Sequence, residues 1–92
     1  MSKSKKKEIA VIGQGFVGIP MSILIADKTN CLVYGIDKND TRGVYVKSTV
    51  EKNKLPFKSK DQNLLKKFKK VRNLQKYKIS LNLDPIQNCE TI

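Results

Sequence analysis

The chain of 92 residues has no histidine, two cysteines, two arginines and no long uninterrupted apolar run. Without histidine, and with Cys31 and Cys89 far apart and outside any CxxC spacing, most zinc sites and Cys/His nucleophile arrangements are excluded. Each cysteine is read instead as a small buried apolar residue at a strand margin. The longest apolar stretch after the basic N-terminus is interrupted by Gly13, Gln14 and Gly15 and carries no cleavage site. That argues against a secretory signal or a membrane span and leaves the cytoplasm as the expected compartment. Acidic residues are also scarce, eight against nineteen basic ones, for a net charge of +11. Nucleic acid is the obvious partner for such a charge. Yet all the basic residues except Arg42 and Arg72 are lysine, and aromatics make up only 7% of the chain. Base readout favours the arginine fork and single-strand binding wants interleaved aromatics. The lysines are therefore read as solvated faces, abundant together with asparagine and isoleucine as in an AT-biased coding sequence, and nucleic-acid binding is not expected.

The residues that are present centre on Ile9 to Gly18, where four apolar residues run into glycines spaced G-x-G-x-x-G at Gly13, Gly15 and Gly18. This pattern reads as a strand delivering a tight turn to a helix. Gly13 allows the turn, Gly15 lets the backbone approach a pyrophosphate, and Gly18 lets helix and strand pack closely. The N–H groups and positive dipole end of the helix suit negative phosphates. Three glycines alone also fit a purely structural turn. Asp37 strengthens the functional reading: it ends a second apolar segment, Leu32 to Ile36, nineteen residues after Gly18. A carboxylate there hydrogen-bonds the adenosine ribose hydroxyls of a dinucleotide and repels a 2′-phosphate, which favours NAD over NADP. The alternative is a strand-terminal acid that caps the following turn.

Along the rest of the chain, Met1 to Lys7 forms a disordered basic lead-in, and residues 8–92 form one incomplete dinucleotide-binding domain. The first strand spans about Glu8 to Ile12. A helix from near Gly15 to about Lys28 carries Pro20 in or near its first turn and stops at Asn30. The pattern from Gly43 to Asn53 fits a short helix or an extended segment. Ser59, Lys60 and Asp61 offer caps to a helix over Gln62 to Arg72, with Leu64, Leu65, Phe68 and Val71 at helical spacing and Lys66, Lys67, Lys69 and Lys70 on the solvated side. Tyr77 to Leu83 reads as a third strand, Asp84-Pro85 opens a brief turn through Cys89, and Glu90 to Ile92 stand just where a fourth strand would begin. The fold class is α/β, a partial Rossmann-type doubly wound parallel sheet of about three strands with helices on both faces. A complete fold of that type needs two βαβαβ halves, more than this length provides. The apolar edge of the first strand is expected to be bare and to promote self-association.

These separated features together resemble the N-terminal NAD-binding domain of the UDP-glucose/GDP-mannose dehydrogenases, the nucleotide-sugar 6-dehydrogenases. The resemblance rests on I-x-V-I-G-x-G-[FY]-V-G-x-P at Ile9 to Pro20 and G-[IV]-D at Gly35 to Asp37. It continues in Val50 to Pro56, similar to I-N-x-G-x-x-P, and in Asp84 to Cys89, similar to D-x-x-x-I-x-x-C-D. The chain departs from the pattern at Gln14, where leucine is frequent and the change is expected to be neutral, and at Asn53, which replaces a glycine and is tolerable in a left-handed position.

The resemblance implies an oxidoreductase of polysaccharide biosynthesis that oxidises the C6 alcohol of a nucleotide sugar to a carboxylate in two hydride transfers, using two NAD. It implies cofactor contacts at Gly13, Gly15, Phe16, Val17, Gly18 and Asp37, and at Arg42, which stands where the family has a basic residue five after the ribose acid. The family's catalytic cysteine lies in a G-G-x-C-F-P-K-D segment, assisted by a lysine, an asparagine and an aspartate. Neither that segment nor the cofactor-contacting V-P-T-P is among these residues, and Cys31 and Cys89 match neither context. The chain is accordingly expected to be the truncated amino-terminal part of such an enzyme, inactive alone, with the nucleotide sugar a partner only of the complete protein. The alternatives are a small non-enzymatic NAD- or nucleotide-binding module and a fragment of another Rossmann oxidoreductase.

Overall fold

The computed structural model describes residues 7–88 and 90–91. The lead-in expected at 1–7 lies outside the described residues up to residue 6, as does Cys89; Lys7 is described, and its carbonyl accepts a hydrogen bond from Leu32 N at 3.0 Å.

Four strands, β1 (Glu8–Ile12), β2 (Leu32–Ile36), β3 (Tyr77–Ser80) and β4 (Glu90–Thr91), form one sheet in the order β3-β2-β1-β4. All pairings are parallel, with Ile9 opposite Val33 and Val33 opposite Tyr77. The edge expected to be bare on β1 is covered in part: Glu90 and Thr91 of β4 pair with Ile9 and Ala10, two of its five residues. Three strands and the two paired residues of β4 thus make up a partial Rossmann-type parallel sheet, but the α-helices expected on both faces stand on one face among the described residues, because each lies in a crossover running the same way from β1 to β3.

Three α-helices follow the strands, α1 (Gly18–Lys28), α2 (Thr41–Glu51) and α3 (Gln62–Asn73). Strand alternation puts Ile9, Val11, Val33, Tyr77 and Ile79 on one face of the sheet, where they share a core with Ile19 and Ile23 of α1, Val46 and Val50 of α2, and Phe68 and Val71 of α3. Each helix presents these residues at three- and four-residue spacing, so burial of one apolar stripe fixes its rotation. The Phe68 and Tyr77 rings meet edge to face with centroids 6.4 Å apart. The opposite face is treated differently. The return from β3 to β4 carries only a 3₁₀ turn, Asp84–Asn88, beside β1, and a right-handed crossover runs it over that second face. Lys78 stands exposed there while Ala10 and Ile36 are buried.

The helix boundaries follow from local chemistry. Asp40 caps α2 by accepting from Gly43 N at 2.8 Å, and Asp61 caps α3 by accepting from Leu64 N at 3.1 Å. The ambiguous segment from Gly43 to Asn53 is helical, because the Asp40 cap and the buried Gly43, Val46 and Val50 fix one apolar stripe. Both helices end in the same hydrogen-bonded cap. In α2, Asn53 N donates to Val50 O and Lys54 N to Thr49 O; in α3, Gln75 N donates to Arg72 O and Lys76 N to Val71 O. This geometry puts Asn53 at φ 61° and Gln75 at φ 57°, so Asn53 does occupy a left-handed position. Arg72 links the two caps through Nε to Asn53 Oδ1 at 3.0 Å. Helix α1 begins later than expected, at Gly18, since residues 15–17 form the turn that delivers it. It also ends differently. Thr29, not Asn30, stops it in an extended conformation, with its hydroxyl returned to Ile25 O at 2.6 Å.

The lysine face of α3 is not wholly idle. Lys70 and Lys67 reach Asp27 of α1 at 3.1 and 3.9 Å, and the hydrogen-bonded Lys70 ammonium holds the Asp27 carboxyl below the usual carboxylate value. Glutamine at the left-handed cap position costs about 1–2 kcal/mol relative to glycine, offset in part by the unfolded-state entropy that glycine restores. Gln75→Gly should therefore raise the melting temperature by several degrees in a circular-dichroism melt, roughly 4–8 °C per kcal/mol at this size. Gln75→Val should lower it, and the opposite order would contradict the assignment of the cap.

Candidate functional site

All seven residues anticipated as ligand contacts, Gly13, Gly15, Phe16, Val17, Gly18, Asp37 and Arg42, gather at the C-terminal ends of β1 and β2. Gly13 turns the chain at φ 87°, and its N–H donates to Ile36 O at 2.7 Å, tying the start of the loop to the neighbouring strand. Its carbonyl then packs beneath α1 so closely that a Cβ on Gly18 would overlap the oxygen. That contact is what brings the first turn of the helix onto the strand.

The helix N-terminus so placed has no side-chain cap; Ile19 N already donates to Gly15 O at 3.1 Å, which leaves Gly18 N and the loop N–H groups just before it as the donors. Val17 occupies the cap position with no side-chain hydrogen bond to the turn, and the first turn holds no acidic residue. The leading N–H groups of a helix have no intrahelical acceptor, and with the dipole they favour an anion. Pro20, in the first turn, removes only an N–H for which the turn has little use.

Asp37 extends from the end of β2 toward this loop. Its Oδ2 accepts from Gln14 N at 3.1 Å and from Arg42 Nη1 at 3.0 Å, and its Oδ1 accepts from Lys38 N at 2.8 Å. The Asp37 side chain is 13% exposed and that of Arg42 59%. Arg42 also donates through Nη2 to Gln14 O at 3.1 Å, and a Cβ on Gly15 would come within 3.1 Å of the same nitrogen. The guanidinium therefore spans from the strand-end acid to the middle of the glycine loop. Phe16 stands out from the loop, 80% exposed, with its ring 5.3 Å from that of Phe57, and Val17 is exposed beside it. Clefts flank the loop, and two of them are the larger. One, of about 390 Å³, lies between Ile12, Gly13, Asp37, Leu81 and Leu83; the other, of about 490 Å³, between Ile12, Phe16, Val17 and Met21.

Gln14 is the residue whose role the sequence concealed. It was expected to be neutral in the loop, but its side chain turns inward and is 1% exposed. The carboxamide lies against Gly35 of β2, where any side chain would overlap it. Its Nε2 donates to Val11 O at 3.2 Å, Gly13 O at 3.1 Å and Ser22 Oγ at 3.3 Å, while Oε1 accepts from Tyr77 Oη at 2.5 Å. Burial raises the Tyr77 hydroxyl well above its ordinary value of 10.0, with Arg72 and Ser22 pulling weakly the other way, so the hydroxyl stays a donor. No sequence signal marks this pair, since 63 residues separate the partners. Leu81 and Leu83, beside Asp37, were legible only as strand residues. Cys31 is buried, as expected for a structural thiol. Among the described residues no cluster of acids and cysteines is placed to hold a metal, and no helix is long and apolar enough to cross a membrane.

Two measurements test this geometry. A Cβ at residue 18 meets a backbone oxygen that cannot rotate away, so Gly18→Ala should lose about 2–3 kcal/mol in denaturant unfolding; an unchanged midpoint would refute the close packing. For Tyr77 the folded hydroxyl titrates above the unfolded one. Its contribution is complete below pH ~10 and is lost as pH rises toward the folded value, at about 1.4 kcal/mol per pH unit. The stability of Tyr77→Phe should accordingly fall less steeply than that of the parent between pH 9 and 11.5, and parallel curves would show that the hydroxyl is not protected.

No family model and no curated protein sequence matches the chain. Among solved structures, the chain is similar to the NDP-N-acetyl-D-galactosaminuronic acid dehydrogenase from Methanosarcina mazei Go1, with a TM-score of 0.75 and 28% identity over 85% of this chain. The match takes in 17% of the dehydrogenase, so the chain spans about a sixth of its length. The resemblance to the nucleotide-sugar dehydrogenases read from the glycine loop and the strand-end acid thus holds in three dimensions.

Proposed function

We propose that the chain is the cofactor-binding portion of an NAD-dependent nucleotide-sugar 6-dehydrogenase of the cytoplasm, with Gly13, Gly15, Phe16, Val17, Gly18, Asp37 and Arg42 as the contacts of the cofactor. The observation that carries this reading is the uncapped N-terminus of α1, set directly behind three glycines and faced by Asp37 from β2. The structural likeness to a nucleotide-sugar dehydrogenase supports it.

The residues fit the group. At Gly15 only the end of the flexible Arg42 side chain stands where a Cβ would be, so the backbone becomes open to a diphosphate when Arg42 moves, and Gly18 N with the loop N–H groups before it supplies the donors at the positive end of α1. Asp37 has acceptor capacity left on Oδ1, which bonds only Lys38 N, and a ribose diol donates to such a carboxylate. The cleft between Asp37, Leu81 and Leu83 offers apolar walls to the adjoining base. Arg42, exposed and held only at its tip, is free to swing over that base or ribose. The cofactor, when bound, accepts the hydride that leaves the sugar C6 carbon. No residue of this chain is assigned to that chemistry, so these 92 residues bind NAD without turning over a nucleotide sugar.

Calorimetry with NAD and NADP tests the assignment. The parent chain should bind NAD more tightly than NADP. Asp37→Ala removes a charged acceptor worth about 1.5–3 kcal/mol, which is roughly a 10- to 100-fold loss for NAD. It also releases Arg42 to a 2′-phosphate, so the preference for NAD should vanish. Equal affinities in the parent, or an unchanged ratio in the variant, would overturn the role of Asp37. Oxidation of a nucleotide sugar by the purified chain would overturn the division of labour.

A further inference from the structure

We propose that Tyr77 and Gln14 are positioning residues for the glycine loop: the Tyr77 hydroxyl locks the Gln14 carboxamide, and the locked carboxamide ties the Gly13 carbonyl inward to the end of β1 so that the loop N–H groups that follow face a phosphate-bearing ligand. The inference rests on the loop being the ligand-binding element, and it adds a residue from β3 that touches no ligand.

The argument begins with the orientation of the amide. Nε2 has two hydrogens and three acceptors in reach, the Val11 and Gly13 carbonyls and Ser22 Oγ. A flipped carboxamide would set its own oxygen against two carbonyl oxygens, so the oxygen is left pointing at Tyr77. Among the described residues the donor to that oxygen is the Tyr77 hydroxyl, at 2.5 Å. Ser22 cannot substitute, because its hydroxyl hydrogen is committed to Gly18 O at 2.7 Å. Removing the phenolic oxygen therefore leaves a buried acceptor without a partner, and that acceptor lies in the loop itself, against Gly35.

The consequence for binding follows from what the same residue does with its main chain. Gln14 N is held by the Asp37 carboxylate and Gln14 O by Arg42. One residue thus joins the buried network below the loop to the acid and the guanidinium above it. The Gly13 carbonyl that Nε2 holds is also the group on which Gly18 packs. A carboxamide free to rotate loosens the peptide planes between Gly13 and Gly18 and shifts the N–H groups and Asp37 relative to each other, whereas a leucine at residue 14 would need no such lock.

Tyr77→Phe, Gln14→Leu and the double variant separate positioning from mere stability. In the ligand-free protein, amide hydrogen exchange at Gly13, Gln14 and Ile19, whose N–H groups are held by Ile36 O, Asp37 Oδ2 and Gly15 O, should accelerate at least tenfold in Tyr77→Phe. In calorimetry at a temperature where every variant is folded, ADP-ribose should bind about tenfold more weakly to Tyr77→Phe. The double variant buries an apolar pair in place of the polar one, and should recover affinity to within threefold of the parent. A lower melting temperature for Tyr77→Phe with unchanged exchange and unchanged affinity would overturn the proposal and leave the pair purely structural. Should Tyr77→Phe fail to fold, Gln14→Leu against the double variant provides the same comparison, with the single variant expected to be the weaker binder. If the parent binds no ADP-ribose, the functional assignment fails on its own, and the exchange rates still decide whether Tyr77 holds the loop.

Discussion

The contact between the Gly13 carbonyl and Gly18 sets the rest of the structure. It fixes how α1 leaves β1, and so where the apolar stripe of Ile19, Ile23 and Ala26 falls on the sheet. With that stripe seated, β2 and β3 add on one side of β1 in parallel, and α2 and α3 cover the same face. The loop is made from the same atoms. A bulkier residue at position 18 would lift the helix, which would both open the core and carry the first-turn N–H groups away from the strand ends. Packing and the candidate site thus have one geometric cause.

The buried polar network shows how the loop is kept in one conformation. A glycine-rich turn has more freedom to lose than any other segment of the chain. Here the loss is compensated by hydrogen bonds rather than by side-chain packing, since the loop has little side chain to pack. Gln14 supplies the bonds from below and Asp37 and Arg42 from above, and no buried side-chain nitrogen or oxygen among the described residues lacks a partner. The full satisfaction of this network makes it a specifying element; half of it would be worse than an apolar filling.

Much of this was legible in the sequence, and the limits have physical reasons. The strands β1 and β2, the helix α3 with its Asp61 cap, and the convergence of the glycines with Asp37 follow from periodicity and fixed spacing, which are local properties, whereas Arg42 came only from the family resemblance. At position 53 the reading went only as far as saying that asparagine, where the resemblance expects glycine, is tolerable in a left-handed position, and the backbone is left-handed there. Gln14 was not legible: whether a loop glutamine faces solvent or core depends on a hydroxyl that only folding brings near, and on Gly35 leaving room for it. The stop of α1 was misplaced for a related reason, because Thr29 and Asn30 both suit a helix end and the choice lay in the bond back to Ile25. The covering of β1 by Glu90 and Thr91 depended on a crossover that spacing does not reveal. Lys67 and Lys70 sit at positions that periodicity assigns to solvent, and only the placement of α1 beside α3 brings Asp27 to them.

The charge of the chain can then be weighed against its site. Of the few acids, Asp27 is occupied by lysines, Asp40 and Asp61 are committed to helix caps, and Asp37 is paired with Arg42. None lies in the first turn of α1. The positive end of that helix is therefore not cancelled locally, and the surrounding lysine excess adds a field of the same sign. Such a field concentrates an anionic ligand near the loop and speeds its encounter, and it is screened over about 10 Å at ordinary salt. It does not by itself choose the ligand. In the proposed assignment, selection comes from Asp37, a single negative group held at the rim of the glycine loop. A ligand with a diphosphate and a free ribose diol meets both conditions, whereas one with an added phosphate on the ribose is attracted by the field and refused by the acid.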